Sequence, residues 1–169
     1  CPEMAIGLPT PRPALRLVKQ GDDEVHLCFS KDGGEEVTAQ MRDWSAERVK
    51  SLHHLSGYIL CAKSPSCGME RVRVYEPDNN NNRKVGTGIF AEFLQREMPW
   101  LPLVQDGRLH DPALRENFIG RIYALQEFNQ MWESGLTRHW LIAFHCRYKL
   151  MMLAHSQDKY RELGPFVAA

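Results

Sequence analysis

The chain has 169 residues with no net formal charge, 43% hydrophobic and 25% charged residues, enough for one ordinary domain or one and a half. A neutral balance gives no global field toward nucleic acid or a lipid surface, so any such preference must come from a local patch. No apolar run approaches the roughly 18 residues of a membrane span, and five scattered cysteines without a CxxC pair favour a reduced, cytoplasmic setting over a disulfide framework.

Cys1 to Pro13 holds four prolines and one glycine. This predicts a stiff, extended loop, neither helix nor central strand. Its charges are Glu3, able to act as acid, base or iron ligand, and Arg12, able to hold an anion. The chain starts on cysteine and stops at Pro165-Phe-Val-Ala-Ala169 within a helical pattern, which reads as a piece of a longer protein.

Ala14–Lys19 and Glu24–Phe29 alternate around Gln20-Gly-Asp-Asp23, a β-hairpin signal. Parity puts His26 and Cys28 on one face, where a half-buried imidazole and a small buried thiol explain both. Lys31-Asp-Gly-Gly34 ends the hairpin. Glu36–His54 carries Val37, Met41, Trp44, Arg48, Leu52 and Leu55 at helical spacing. The His53-His54 pair suits a helix end and lacks a third ligand.

Gly57–Ala62 is a short apolar strand. Lys63-Ser-Pro-Ser-Cys67-Gly68 follows and cannot extend it. A strand-end loop is where an open α/β sheet places its chemistry. Gly68 permits close approach to the thiol, Ser64 and Ser66 offer hydroxyls, and Lys63 offers a cation that favours a thiolate. A tight turn with an incidental thiol fits the spacing equally well.

Glu70–Glu76 alternates as a strand, and Pro77–Lys84 reads as an exposed loop. Gly86-Thr-Gly-Ile-Phe-Ala91 matches G-x-G-x-x-A, with Asp106 about twenty residues on, as in dinucleotide-binding folds. The strand this motif needs is not legible in Asn82–Val85, so the expected role is the start of a helix, Thr87–Met98. Trp100–Val104 is a short strand. Asp111-Pro112 caps a long amphipathic helix to about Ser134, closed by Gly135. A second long helix starts near Thr137. The predicted fold is therefore α/β, a Rossmann-like sheet with a β-hairpin excursion, over residues 1–110, then an all-helical segment over 111–169.

Between Thr137 and Arg161 the net charge is +4, from Arg138, Arg147, Lys149, Lys159 and Arg161 against Asp158, with Trp140, Tyr148 and Tyr160 interleaved. Basic helices with aromatics suit phosphate backbones, and Arg138, Arg147 and Lys149 are the candidate RNA contacts. A helix with one charged face accounts for the same pattern.

Cys1-Pro-Glu3 with Gly7-Leu-Pro-Thr-Pro-Arg12-Pro, and later Ser64-Pro-Ser-Cys67-Gly68 at a strand end, resemble the thiouracil desulfidase family. The resemblance covers residues 1 to about 110. His145-Cys-Arg-Tyr-Lys-Leu-Met-Met-Leu-Ala-His155 onward resembles the start of the helical YbgA-like domain, which follows such desulfidase domains in many bacterial proteins. The resemblance implies exchange of C=S for C=O in a thiolated uracil, with thiouridine in tRNA as the substrate of the fused form. It implies a [4Fe–4S] cluster on three cysteines, one iron being left open for the substrate sulfur. Two of the three map to Cys1 and Cys67; the third belongs before Cys-Pro-Glu in the family pattern. It further implies Glu3 as general acid or base, with Ser64 or Ser66 as second candidates. Lys63 and Arg12 would orient base or phosphate, and Thr10 and Gly68 would line the substrate. The alternatives are a non-catalytic RNA-binding module with structural cysteines, and a cysteine enzyme with Cys67 as nucleophile and a histidine as base.

Overall fold

The computed structural model describes residues 1–21, 24–31, 34–77 and 80–168. The turns expected at 20–23 and 31–34 and the loop expected at 77–84 fall partly on 22, 23, 32, 33, 78 and 79, outside the described residues. The chain divides into two units, Cys1–Phe118 and Ile119–Ala169.

In the first unit the hairpin forms as expected. Strands β1 (Leu15–Gln20) and β2 (Glu24–Phe29) pair antiparallel, with Leu17 opposite Leu27. Strand β4 (Val72–Tyr75) lies parallel to β1, and β5 (Asn82–Gly86) antiparallel to β4. The four-stranded order is β2-β1-β4-β5, while β3 (Tyr58–Leu60) pairs in parallel with β6 (Leu103–Gln105) as a separate ladder. Helix α2 (Thr38–Lys50) packs on α3 (Ile89–Glu97). The core joins Leu17, Leu27, Val37, Met41, Val72, Val74 and Ile89. The architecture is α/β.

Two expectations about this unit are corrected. The proline-rich start contains a helical turn, α1 (Pro2–Ala5), with the Ala5 amide on the Cys1 carbonyl at 3.2 Å. Pro2 stands at the first helical position, where its missing N–H is not needed and its fixed φ suits a helix. Ile6 and Leu8 then pack against the core and anchor the segment. Residues 82–84, expected as loop, belong to the edge strand β5 (Asn82–Gly86). Its polarity hid it: Asn82, Arg83, Lys84 and Val85 are all exposed, as on an edge strand defended by charge.

Strand β5 does supply the element the glycine motif lacked, yet the start of α3 is already engaged. The amides of Phe90 and Ala91 donate to the Ser66 carbonyl at 2.9 and 3.2 Å, and that of Ile89 to Pro65 at 3.2 Å. The helix N-terminus therefore holds the cysteine loop, not a phosphate.

The second unit is helical. Helix α4 (Pro112–Glu133) begins in the first unit behind Asp111, whose carboxylate accepts the Ala113 and Leu114 amides, and its later turns belong to the second. The long helix expected from Thr137 is three shorter ones: α5 (Arg138–Arg147), α6 (Lys149–His155) and α7 (Gln157–Ala168). Ser156 is extended, and its Oγ accepts the Lys159 amide. A serine that caps the next helix competes with continuing the last one. Phe144 packs on Phe128 and Tyr148, and His145 stacks on Tyr160 at 4.7 Å. Among the described residues no helix is long and apolar enough to cross a membrane.

Candidate active site

The site is built from two loops, one at the start of the chain and one following β3. In the first, the Cys1 thiol donates to the Glu3 carboxylate at 2.8 Å. Arg12 closes the arrangement, its Nη2 lying 3.7 Å from the same carboxylate oxygen and 3.6 Å from Cys1 Sγ. Arg12 Nη1 also donates to the Pro9 carbonyl and Thr10 Oγ1, both at 3.3 Å. The guanidinium thus fixes the turn of its own loop while neutralising Glu3, which is only 8% exposed. A carboxylate so buried needs a cation and a hydrogen bond, and here has both.

In the second loop Ser64 is the organiser. Its Oγ accepts the Ser66 and Cys67 amides at 3.2 and 3.1 Å, and its carbonyl accepts the Gly68 amide at 2.8 Å. Two glycines let this turn pack. A Cβ on Gly68 would lie 2.4 Å from Val72 Cγ2, and one on Gly88 2.5 Å from the Ser66 carbonyl carbon. At its start, Asp106 Oδ1 accepts the Ala62 amide at 3.0 Å.

The first loop acts on the second through charge at Cys67. Burial pushes the Cys67 thiol up to about 11, and the negative charge of Glu3 adds to the rise. Cys61 acts in the same direction, while a hydrogen bond from Ser64 opposes it. Tyr58 on β3 feels the same sulfur: burial, then the charge of Cys67, raises its phenol. Tyr58 also lies edge-on to Phe90 at 5.8 Å. The sequence reading missed Tyr58 because on a short apolar strand a tyrosine looks like core.

The remaining candidates sit partly in the two loops and partly in the helical unit. Lys63 has left-handed backbone and is among the residues lining a cleft beside the loop. Ser66 is fully buried, and its Oγ has no partner among the described residues. Thr10 and Gly68 serve the loops through Arg12 and the Ser64 carbonyl. In the helical unit Arg138 donates to the Ala168 carbonyl at 2.6 Å. Arg147 pairs with Glu127, which also accepts from Tyr148 Oη. Lys149 is exposed.

Cys1 and Cys67 offer two soft sulfur donors beside one carboxylate, a suitable chemistry for iron. Among the described residues, however, no three His, Cys, Asp or Glu side chains converge to hold a metal. Two thiols do not complete a three-cysteine cluster site.

The chain shares 60% identity over 48 residues with the uncharacterized protein YbgA of Escherichia coli (strain K12), a stretch covering 28% of each chain. A solved structure described as a [4Fe-4S]-dependent thiouracil desulfidase, TudS, aligns at 28% identity and a TM-score of 0.49, covering 68% of this chain and 70% of that one. The family model of 2-thiouracil desulfurase matches residues 1–106, which contain Cys1, Glu3, Arg12 and Cys67. The chain therefore belongs to the 2-thiouracil desulfurase family.

Proposed function

We propose that this chain carries the catalytic unit of a desulfidase that replaces C=S by C=O in a thiolated uracil, releasing the sulfur as sulfide. The observation that carries the reading is the Cys1–Glu3–Arg12 cluster set against Cys67, within the stretch matched by the family. The balance needs one water: its oxygen goes to carbon and its two protons to sulfide. Glu3 would move the proton in this reading, because its carboxylate lies 2.8 Å from Cys1 Sγ and its charge reaches Cys67. Arg12 holds that carboxylate in place, and Ser64 fixes the Cys67 loop.

The cofactor in this reading is a [4Fe–4S] cluster, with Cys1 and Cys67 as two ligands and the third thiolate N-terminal to Cys1 in the family pattern. The substrate is thiouridine in tRNA, with the helical unit helping to hold the RNA through Arg138, Arg147 and Lys149. An intracellular enzyme acting by hydrolysis fits this substrate.

The test uses the full-length protein, reconstituted anaerobically with iron and sulfide. Loss of 2-thiouracil and of thiouridine in tRNA is followed beside sulfide release. Turnover that vanishes in Cys67→Ala supports the reading. A preparation that binds tRNA yet releases no sulfide from either substrate overturns it in favour of a binding module.

A further inference from the structure

The geometry points to a second surface on the first unit: the cleft between the hairpin, β4, β5 and the start of the cysteine loop binds the phosphate backbone of an RNA strand. The cleft measures about 1280 Å³, beyond the ~300–1,000 Å³ of an ordinary small-ligand pocket. Arg16, Lys63, Arg71, Arg73, Lys84 and Arg108 line it, with Glu70 as the acid among its lining residues. Glu70 is engaged by Arg108 at 3.2 Å. In a chain of zero net charge, this concentrates cationic potential on one concave face.

Two independent features show that this charge is held at a cost to the fold. Arg73 on β4 stands directly opposite Lys84 on β5, and like charges across a strand pair are destabilising. Among the described residues neither has an acidic partner. Lys63 and Arg71 have φ of 63° and 56°. These are the non-glycine residues with left-handed backbone among those described, and both line this cleft. Left-handed backbone disfavours a residue with a Cβ, and such strain gathers at ligand clamps. An anionic occupant offsets the repulsion and uses the side chains that the strained backbone aims.

The remaining lining selects a polynucleotide. Arg16 lies over the Tyr75 ring at 5.3 Å and donates to Asn80 at 3.2 Å. A basic groove with an aromatic face and amides is the composition that tracks a single strand. Ala62, Lys63 and Pro65 line the cleft, while Ser64 and Cys67 of the same loop build the thiol site. The cleft therefore borders the loop that carries Cys67. The identity of the strand as RNA rests on the desulfidase reading; the presence of a polyanion site does not.

The test is fluorescence anisotropy of a labelled single-stranded oligoribonucleotide with the full-length protein across a salt series, read without turnover. Neutralising both members of the repelling pair, Arg73→Gln with Lys84→Gln, is expected to weaken binding roughly tenfold and to lower the log–log salt slope by about 1.4. Both positions are exposed and the change removes a repulsion, so the fold survives it. Lys50→Gln on α2, away from the cleft, leaves the curve in place. An oligoribonucleotide carrying photoreactive thiouridine is expected to cross-link to peptides within 71–84. Equal affinity and slope in the double variant overturn the inference, as do cross-links confined to 138–161. Tight binding to phosphatidylserine vesicles without binding to RNA overturns it as well. Sulfide release from free 2-thiouracil by the same preparation reports separately on the desulfidase reading, so the two can fail apart.

Discussion

A Cβ on Gly88 would lie 2.5 Å from the carbonyl carbon of Ser66 and 2.6 Å from the Cys67 amide nitrogen. The glycine is needed for this close approach, because its own φ of −67° is open to any residue. It lets the first turn of α3 dock under the cysteine loop and donate three amides to it. Gly88→Ala must push backbone against backbone. It is expected to destabilise the protein by about 1–3 kcal/mol, seen as a lower midpoint in urea. It also shifts the Cys67 loop, so any turnover of 2-thiouracil by the full-length protein is expected to fall further than the stability loss explains. An alanine variant with wild-type stability would show that the loop is free to shift.

Glu3 joins the two halves of the candidate site. Its carboxylate accepts the Cys1 thiol, pairs with Arg12 and raises the Cys67 thiol through its charge. Glu3→Gln keeps the shape and removes the charge. In the full-length, reconstituted enzyme, turnover of 2-thiouracil is expected to fall by about 10²-fold or more, the usual worth of a positioned acid or base. A fall in kcat with KM preserved assigns Glu3 to the proton step. A rise in KM alone makes it an anchor for the loop, and unchanged turnover removes it from the chemistry.

Acid sensitivity of the first unit is set partly at Glu36. Hydrogen bonds from His26, at 2.6 Å, and then from Thr38 hold its carboxyl below the ordinary glutamate value of 4.5. The Thr38 hydroxyl also accepts the Leu27 amide at 2.8 Å, tying the start of α2 to β2. A depressed folded pKa gives stability that is complete above the ordinary value and is lost as pH falls through the lower, folded one. Urea midpoints should therefore decline below about pH 4.5 in the native protein. In Glu36→Gln that part of the decline should be absent, while the midpoint at neutral pH is already lower. Parallel acid limbs in the two proteins would place the sensitivity elsewhere.

The hairpin, helix α2, strand β3 and the Asp111 cap were all legible because each is a local pattern: alternation, helical spacing or an N-cap carboxylate. The pair of motifs around Cys1 and Cys67 was legible as a resemblance, and in the fold the charge of Glu3 reaches Cys67. What the sequence hid was decided by partners distant in the chain. Strand β5 has no apolar face and exists because β4 supplies its hydrogen bonds. The glycine motif at 86–91 resembles a phosphate cradle, yet the carbonyls of Pro65 and Ser66 occupy the helix start. Lys63 stands four residues before Cys67, and its left-handed backbone, which spacing cannot show, lies at the edge of the basic cleft. Ser156 breaks a helix that periodicity alone extends.

The strain at Arg71 gives the final prediction. Its φ of 56° places an exposed arginine in left-handed backbone. That conformation costs a residue with a Cβ roughly 1–2 kcal/mol, and glycine is free of that penalty. Glycine loses more chain entropy on folding, which offsets about half of the gain. Arg71→Gly is therefore expected to raise stability by about 1 kcal/mol, read as a higher urea midpoint. The same variant should bind the oligoribonucleotide more weakly, with a salt slope lower by about 0.7. Stability and binding moving in opposite directions is the signature of backbone strain kept for a ligand. If Arg71→Gly lowers stability, the left-handed turn is held by contacts of the arginine itself. If it stabilises the protein without touching RNA binding, the strain at 71 has no connection with the cleft.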